Sequence, residues 1–169
     1  MAKTSYAIGL GSNRPHGRYG RPAAVLRAAA RALSERDVRI EARSAIRATP
    51  ALGPAGRSFA NAAIIVSTPL APAELLKLLK SIERSFGRRG GRRWGPRVLD
   101  LDILLWSAGE WRKGGLRIPH PGLVSRRFVL EPLADIAPGW RDPISRLTMR
   151  QLFVRHGRPR PVDPPSRPT

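Results

Sequence analysis

The sequence predicts an α+β sandwich, with helices packed on one face of an antiparallel sheet. Three observations lead there. Apolar residues alternate in four separated stretches, 5–10, 38–46, 59–67 and 98–106, as they do in half-buried strands. Two longer stretches, opening at Pro22 and Pro72, repeat their apolar residues at helical spacing instead. The resulting order is strand, helix, two strands, helix, strand, and 169 residues suit one domain with a proper core. We expect that single domain over residues 1–156 and a disordered tail over 157–169, where proline and arginine dominate.

The first strand, Ser5 to Leu10, presents Tyr6, Ile8 and Leu10 on one face. Gly9-Leu10-Gly11-Ser12-Asn13 is expected to end it in a tight turn that needs either positive φ or close packing. A polar loop, His16 to Arg21, leads into the first helix. Pro22 suits the first helical position, and Val25, Leu26, Ala29 and Leu33 make the apolar stripe. The second strand is expected over Val38–Ile46, a turn-rich connection over Thr49–Gly56, and a third strand over Phe59–Ser67. Asn61 stands there in apolar company, either as an edge residue or as a reader of a ligand's donors and acceptors. The second helix runs from Pro72 to Phe86 and turns Leu75, Leu79, Ile82 and Phe86 inward; Gly87 closes it.

After the strand at 98–106 come a turn or hairpin at Gly109–Gly115 and a rigid stretch, Ile118-Pro119-His120-Pro121-Gly122. A helix over Ser125–Ile136, interrupted at Pro132, and a short helix over Met149–His156 complete the expected elements. Two prolines fix the backbone around His120, which suits a positioned side chain as well as a structural one.

The most distinctive stretch is Arg92-Arg93-Trp94-Gly95-Pro96-Arg97-Val98-Leu99-Asp100-Leu101-Asp102-Ile103-Leu104-Leu105-Trp106. Strict alternation would put Leu99, Leu101, Ile103 and Leu105 on one core-facing side. Asp100 and Asp102 then share the other, roughly 6.5–7 Å apart along the chain at about 3.3 Å per residue. Carboxylates so spaced can converge on one hard cation or on a pair of cations. Two solvated aspartates on an exposed strand face would give the same pattern. The arginine-dense loop with Arg88, Arg89, Arg92, Arg93 and Arg97, and the indole beside it, favour a metal–polyphosphate site.

Composition sets the bounds. With no cysteine, the chain has no disulfide, zinc–thiolate site or thiol nucleophile, which fits a cytoplasmic protein. The first residues lack the apolar core of a secretion signal, and no apolar run is long enough for a bilayer. A formal charge of +19 attracts polyanions, yet it equally reflects an arginine- and alanine-rich composition. Nucleic acid is not the expected partner, because aromatics make up only 6% and no RNA-binding motif is visible. A metal-dependent nuclease normally needs additional carboxylates or a histidine beside the metals, and acidic residues are scarce here.

Several separated motifs resemble one family. They are Gly9-Leu10-Gly11-Ser12-Asn13, Thr49-Pro50-Ala51-Leu52-Gly53-Pro54, Phe59-Ala60-Asn61-Ala62-Ala63, and Gly87-Arg88 followed by the run from Arg93 to Ile103. Ile118-Pro119-His120-Pro121 and Arg126-Arg127-Phe128-Val129-Leu130-Glu131-Pro132-Leu133 complete the set. Together, from about Tyr6 to Trp140, they resemble 6-hydroxymethyl-7,8-dihydropterin pyrophosphokinase, which moves pyrophosphate from ATP to a reduced pterin alcohol in folate biosynthesis.

The resemblance implies a ferredoxin-like fold and a role for each matched residue. Asp100 and Asp102 would hold two magnesium ions that bridge the ATP phosphates, while Arg88 and Arg97 would stabilise phosphate charge in the transition state. Glu83, Trp94, Ile103, His120 and Arg126 would lie in the nucleotide site. Phe59 and Phe128 would sandwich the pterin ring, Asn61 would bond its edge, and Thr49 and Leu52 would add backbone groups nearby. A cytoplasmic monomer is expected. Three positions depart from the family pattern: Gly90 and Gly122 stand where basic residues are common, and Arg14-Pro15-His16-Gly17-Arg18 replaces a shorter turn. These changes spare the aspartates and the ring clamp but leave nucleotide affinity and the exact pterin open.

Overall fold

A computed structural model of the chain describes residues 2–49, 59–87 and 98–158. Its elements run β1 (Thr4–Ser12), α1 (Pro22–Ser34), β2 (Arg39–Arg43), β3 (Arg47–Thr49), β4 (Phe59–Thr68), α2 (Pro72–Ser85) and β5 (Asp100–Trp106). A small hairpin of β6 (Trp111–Lys113) and β7 (Leu116–Ile118) follows, then α3 (Arg127–Ile136) and α4 (Met149–His156). The main sheet is antiparallel in the order β2-β4-β1-β5, and β3 also pairs with β4. The expected α+β class therefore stands. The tail residues 159–169 lie outside the described residues.

Local chemistry accounts for the helix ends. Pro22 and Pro72 open α1 and α2, where a missing N–H costs nothing. Glu74 reaches back 2.8 Å to the N–H of Ala71, half of a capping box. At α4 the box is complete: Thr148 Oγ accepts from the Gln151 N–H, and Gln151 returns the bond to the Thr148 N–H.

Alternation in the central strand β1 divides the interior in two. Tyr6, Ile8 and Leu10 join Val25, Leu26 and Leu33 of α1 and Leu75, Leu79 and Ile82 of α2 in one core. Ala7 points the other way, into a second core with Ala63, Leu130, Leu133, Met149 and Leu152. Helices thus cover both faces of the sheet, where the sequence pattern had placed them on one. α1 and α2 cover one face; α3 and α4 cover part of the other.

Four local expectations change. The strand alternation of β5 breaks at a bulge: Ile8 pairs with Ile103 but Ala7 pairs with Leu105, so Leu104 is surplus. Leu99, Leu101 and Ile103 face the first core as expected, whereas Leu105 joins Leu104 in the second. Trp106 returns to the first side and stacks on Tyr6 at 6.2 Å. Second, Gly9 and Gly11 make no turn, because β1 runs straight through them. A Cβ on Gly9 would sit 3.3 Å from Leu104 Cδ1, and one on Gly11 would sit 3.4 Å from Asn61 Oδ1. Close packing is what they provide. Third, the expected strand 38–46 ends at Arg43, and a separate short strand, β3, follows beyond it. Ser44 still bonds Ala63 in both directions, but Arg47 pairs with Asn61, leaving one surplus residue between β2 and β3. Fourth, α3 continues through Pro132 instead of breaking. The proline comes one and a half turns into the helix and is itself buried with Leu130 and Leu133, so tertiary packing offsets the lost bond.

The loop after β1 is anchored by its own side chains. His16 Nδ1 accepts the N–H groups of Arg18 and Tyr19, and Tyr19 stacks on Phe86 at 4.8 Å. The Arg14–Arg18 departure thereby docks on the end of α2.

Edge strand β5 owes one of its outward N–H groups to α2. Glu83, fully buried, accepts from the Leu101 N–H at 2.8 Å and pairs with Lys80 Nζ at 3.2 Å. Removing the acceptor leaves a buried N–H and a lysine without their partner. Glu83→Ala is therefore expected to lower unfolding stability by about 1–3 kcal/mol, with Glu83→Gln costing less because it keeps an acceptor. Chemical denaturation measures both; equal stability of Glu83→Ala and the parent would overturn this structural role.

Candidate active site

The uncovered part of the second sheet face is a cavity of about 390 Å³. Its floor follows from strand register. Gly11 of β1 lies between Asn61 of β4 and Asp100 of β5, and Gly9 lies between Ala63 and Asp102. A side chain at Gly11 would enter the space between Asn61 and Asp100, and one at Gly9 would press on Leu104. Asn13, Leu104, His120, Arg126, Phe128 and Val129 close the walls.

Three chemical features meet there. Phe59 and Phe128 stand on the rim with 46% and 50% of their surface exposed. A large apolar ring left in water forgoes roughly 1.5–3 kcal/mol of burial, so the two rings offer unburied apolar surface at one mouth. Asn61 lies between them and the floor and offers donors and an acceptor to a polar ring edge. On the other side, Asp100 and Asp102 project from β5 into the same cavity.

Burial pushes the Asp102 carboxyl above the ordinary aspartate range, and repulsion from Asp100 adds to it; charge on His120 and Lys80 partly offsets both. Such a pair is short of positive charge. Among the described residues no group of three or more His, Cys, Asp and Glu side chains could hold a metal. The donor set fits magnesium all the same, since that ion is commonly bound through one or two carboxylates, water and substrate phosphates.

His120 is fixed by its own turn. Its N–H donates to the Leu104 carbonyl at 3.0 Å, beside the β5 bulge. Its Nδ1 accepts the Gly122 N–H at 2.9 Å, so the proton of the neutral ring sits on Nε2. Nε2 lies 3.8 Å from Asp102 Oδ1. Arg126, the residue before α3, brings a guanidinium to the same wall. Its neighbour Arg127 turns away, onto the Phe153 ring at 4.7 Å and toward Glu131 at 3.9 Å.

Residues 7–138 match the model of the 7,8-dihydro-6-hydroxymethylpterin-pyrophosphokinase family. The chain belongs to this family. It is 44% identical over 103 residues to a Synechocystis 2-amino-4-hydroxy-6-hydroxymethyldihydropteridine pyrophosphokinase, a stretch that covers 61% of this chain and 53% of the relative. A Methylorubrum extorquens protein of the same name is 42% identical over 133 residues, covering 78% of this chain and 81% of its own. The chain thus spans about half the length of one of these curated relatives and most of the other. In three dimensions it resembles the crystal structure of Plasmodium falciparum HPPK-DHPS, with a TM-score of 0.69 over 92% of this chain and 45% of that one. At 15% identity that likeness establishes the shared fold.

Seven of the residues that the sequence assigned to the pyrophosphokinase site line this one cavity: Phe59, Asn61, Asp100, Asp102, His120, Arg126 and Phe128. Two others lie elsewhere. The Ile103 side chain belongs to the first core, on the opposite face of β5, and Glu83 is buried beneath that strand. Thr49 ends β3 opposite Phe59. Leu52, Arg88, Trp94 and Arg97 lie outside the described residues. Gly9, Gly11, Asn13 and Leu104 line the cavity without having been assigned to it. The Gly-x-Gly-Ser-Asn run carried a signal for the first three, and strict alternation already put Leu104 on the face of the two aspartates.

Asp102 makes stability depend on pH with a definite sign. Its folded pKa is raised, so its favourable contribution is complete below the ordinary aspartate range and is lost as pH rises through the raised value. Asp102→Asn is therefore expected to raise the thermal midpoint of the ligand-free protein at neutral pH, with the gain vanishing in acid. Melts across pH test this; a gain that does not vary with pH would mean that charge is not the cause.

Proposed function

We propose that this chain transfers pyrophosphate from ATP to 6-hydroxymethyl-7,8-dihydropterin, giving the pterin diphosphate and AMP, in folate biosynthesis. The observation that carries this reading is the meeting of a ring clamp and a carboxylate pair across one cavity, in a chain of the pyrophosphokinase family. The pterin lies between Phe59 and Phe128 with its polar edge on Asn61. Thr49 and Leu52, assigned on the sequence pattern, complete that side.

ATP lies on the opposite wall. The pterin hydroxyl oxygen attacks the β-phosphorus, the bond to the α–β bridging oxygen breaks, AMP leaves, and the hydroxyl proton is released. No protein nucleophile takes part, so rate depends on alignment and on neutralising charge. Asp100 and Asp102 hold two magnesium ions, which supply positive charge to the phosphate oxygens when bound. His120 donates its Nε2–H and Arg126 its guanidinium to the polyphosphate. Arg88, Arg97 and Trp94, which the family resemblance assigns to the phosphates and the nucleotide, would act on the same side. The same reading makes the protein a cytoplasmic monomer.

Asp100→Asn and Asp102→Asn are each expected to abolish most AMP formation from ATP, magnesium and the pterin alcohol while the fold persists, because Asn keeps shape and loses charge. Near-parental rates at saturating magnesium in both variants would overturn the metal assignment, and ADP as the sole nucleotide product would indicate an ordinary kinase. Phe128→Ala is expected to weaken pterin binding by about 1–2 kcal/mol and to leave ATP affinity nearly unchanged. Calorimetric titration of each ligand separates the two; equal losses would mean local unfolding.

A further inference from the structure

Gly122 is glycine at a position where the backbone does not call for one. Its φ is outside the left-handed region, unlike those of Gly20, Gly87, Gly109, Gly114 and Gly115. The demand comes from another side chain. A Cβ on residue 122 would lie 2.9 Å from Arg126 Nε, closer than such atoms approach, and a tight 3.2 Å from both Cδ and Cζ. The guanidinium therefore rests across the bare backbone of Gly122.

The same residue holds His120. Its N–H is the donor that occupies Nδ1 at 2.9 Å and leaves the proton on Nε2, 3.8 Å from Asp102 Oδ1. Arg126 and His120 both line the cavity on the side of the carboxylates. One residue thus sets two donors of the nucleotide wall, one through a missing side chain and one through its N–H.

We infer that Gly122 is a positioning residue for the nucleotide: it seats the Arg126 guanidinium and orients the His120 Nε2–H toward the same polyphosphate. The inference rests on the assignment of that wall to ATP. An arginine is long and its end is mobile, so a methyl group at position 122 displaces the guanidinium at little cost to the fold. What is lost is a donor already in place, which the ligand would otherwise have to recruit from solvent.

The test is a double-variant cycle read by calorimetry, using α,β-methylene-ATP with magnesium as one probe and the pterin alcohol as the other. Gly122→Ala is expected to weaken binding of the nucleotide analogue roughly tenfold, the scale of one hydrogen bond to a charged group, and to leave pterin binding and the thermal midpoint nearly unchanged. In an Arg126→Ala background the same glycine change should add almost nothing. Unaltered nucleotide binding in Gly122→Ala, or losses that simply multiply in the double variant, overturns the inference. If Arg126→Ala alone leaves nucleotide binding intact, the assignment of this wall has failed and the positioning role falls with it. Should Gly122→Ala not fold, the double variant must recover the folded state, since the group it collides with is gone; failure to recover also overturns the role.

Discussion

One surplus residue in an edge strand decides where the ligand side of this molecule gives way to its second core. Where β5 pairs with β1, Leu104 has no counterpart, and the strand changes face at that point. Before the bulge, Asp100 and Asp102 occupy the second face of the sheet; after it, Leu104 and Leu105 occupy the same face. Polar and apolar groups are thereby lined up in sequence along one side. The leucines close the second core beneath α3 and α4, and the aspartates are left at its open end. Leu104 does both jobs, since it packs over Gly9 and also forms a wall of the cavity. The His120 N–H, bonded to the Leu104 carbonyl, brings the histidine turn to the same place.

The buried and half-buried carboxylates of this strongly basic protein divide by how they are satisfied. Glu83 is enclosed, yet it has a backbone donor and a lysine, and it completes the edge of β5. Asp102 is placed beside another carboxylate, with burial and repulsion both acting against its charge. A fold keeps such an unfavourable pair where a ligand relieves it, and a divalent cation with phosphate oxygens is suited to that. The rim phenylalanines are a second unfavourable feature of the same cavity, since their exposed rings oppose the hydrophobic effect.

Two glycines of β1 and Gly122 illustrate a single constraint in different settings. None of the three is required by a turn. Gly9 and Gly11 keep the centre of the sheet thin, so that the cavity reaches down to the backbone between Asn61 and the aspartates. Gly122 keeps a tight histidine turn bare for an arginine from the next helix. Each is defined by the atom that would otherwise collide with it.

What the sequence determined by itself was whatever local rules govern. Period-two and helical spacing located nearly every element, prolines marked the starts of α1 and α2, and the family motifs pointed to the family and to seven residues that line one cavity. Tertiary structure decided the rest. It turned Leu105 to the second face, buried Glu83 against the edge of β5, carried α3 through Pro132 and ended the strand that follows α1 at Arg43. It also made the Gly9–Gly11 stretch a cavity floor instead of a turn. The physical reason is the same in each case: a bulge, a buried proline or a close glycine contact is set by pairing between segments far apart in the chain. Residue 9 learns its role only from residue 104, and no periodicity within either segment records that meeting.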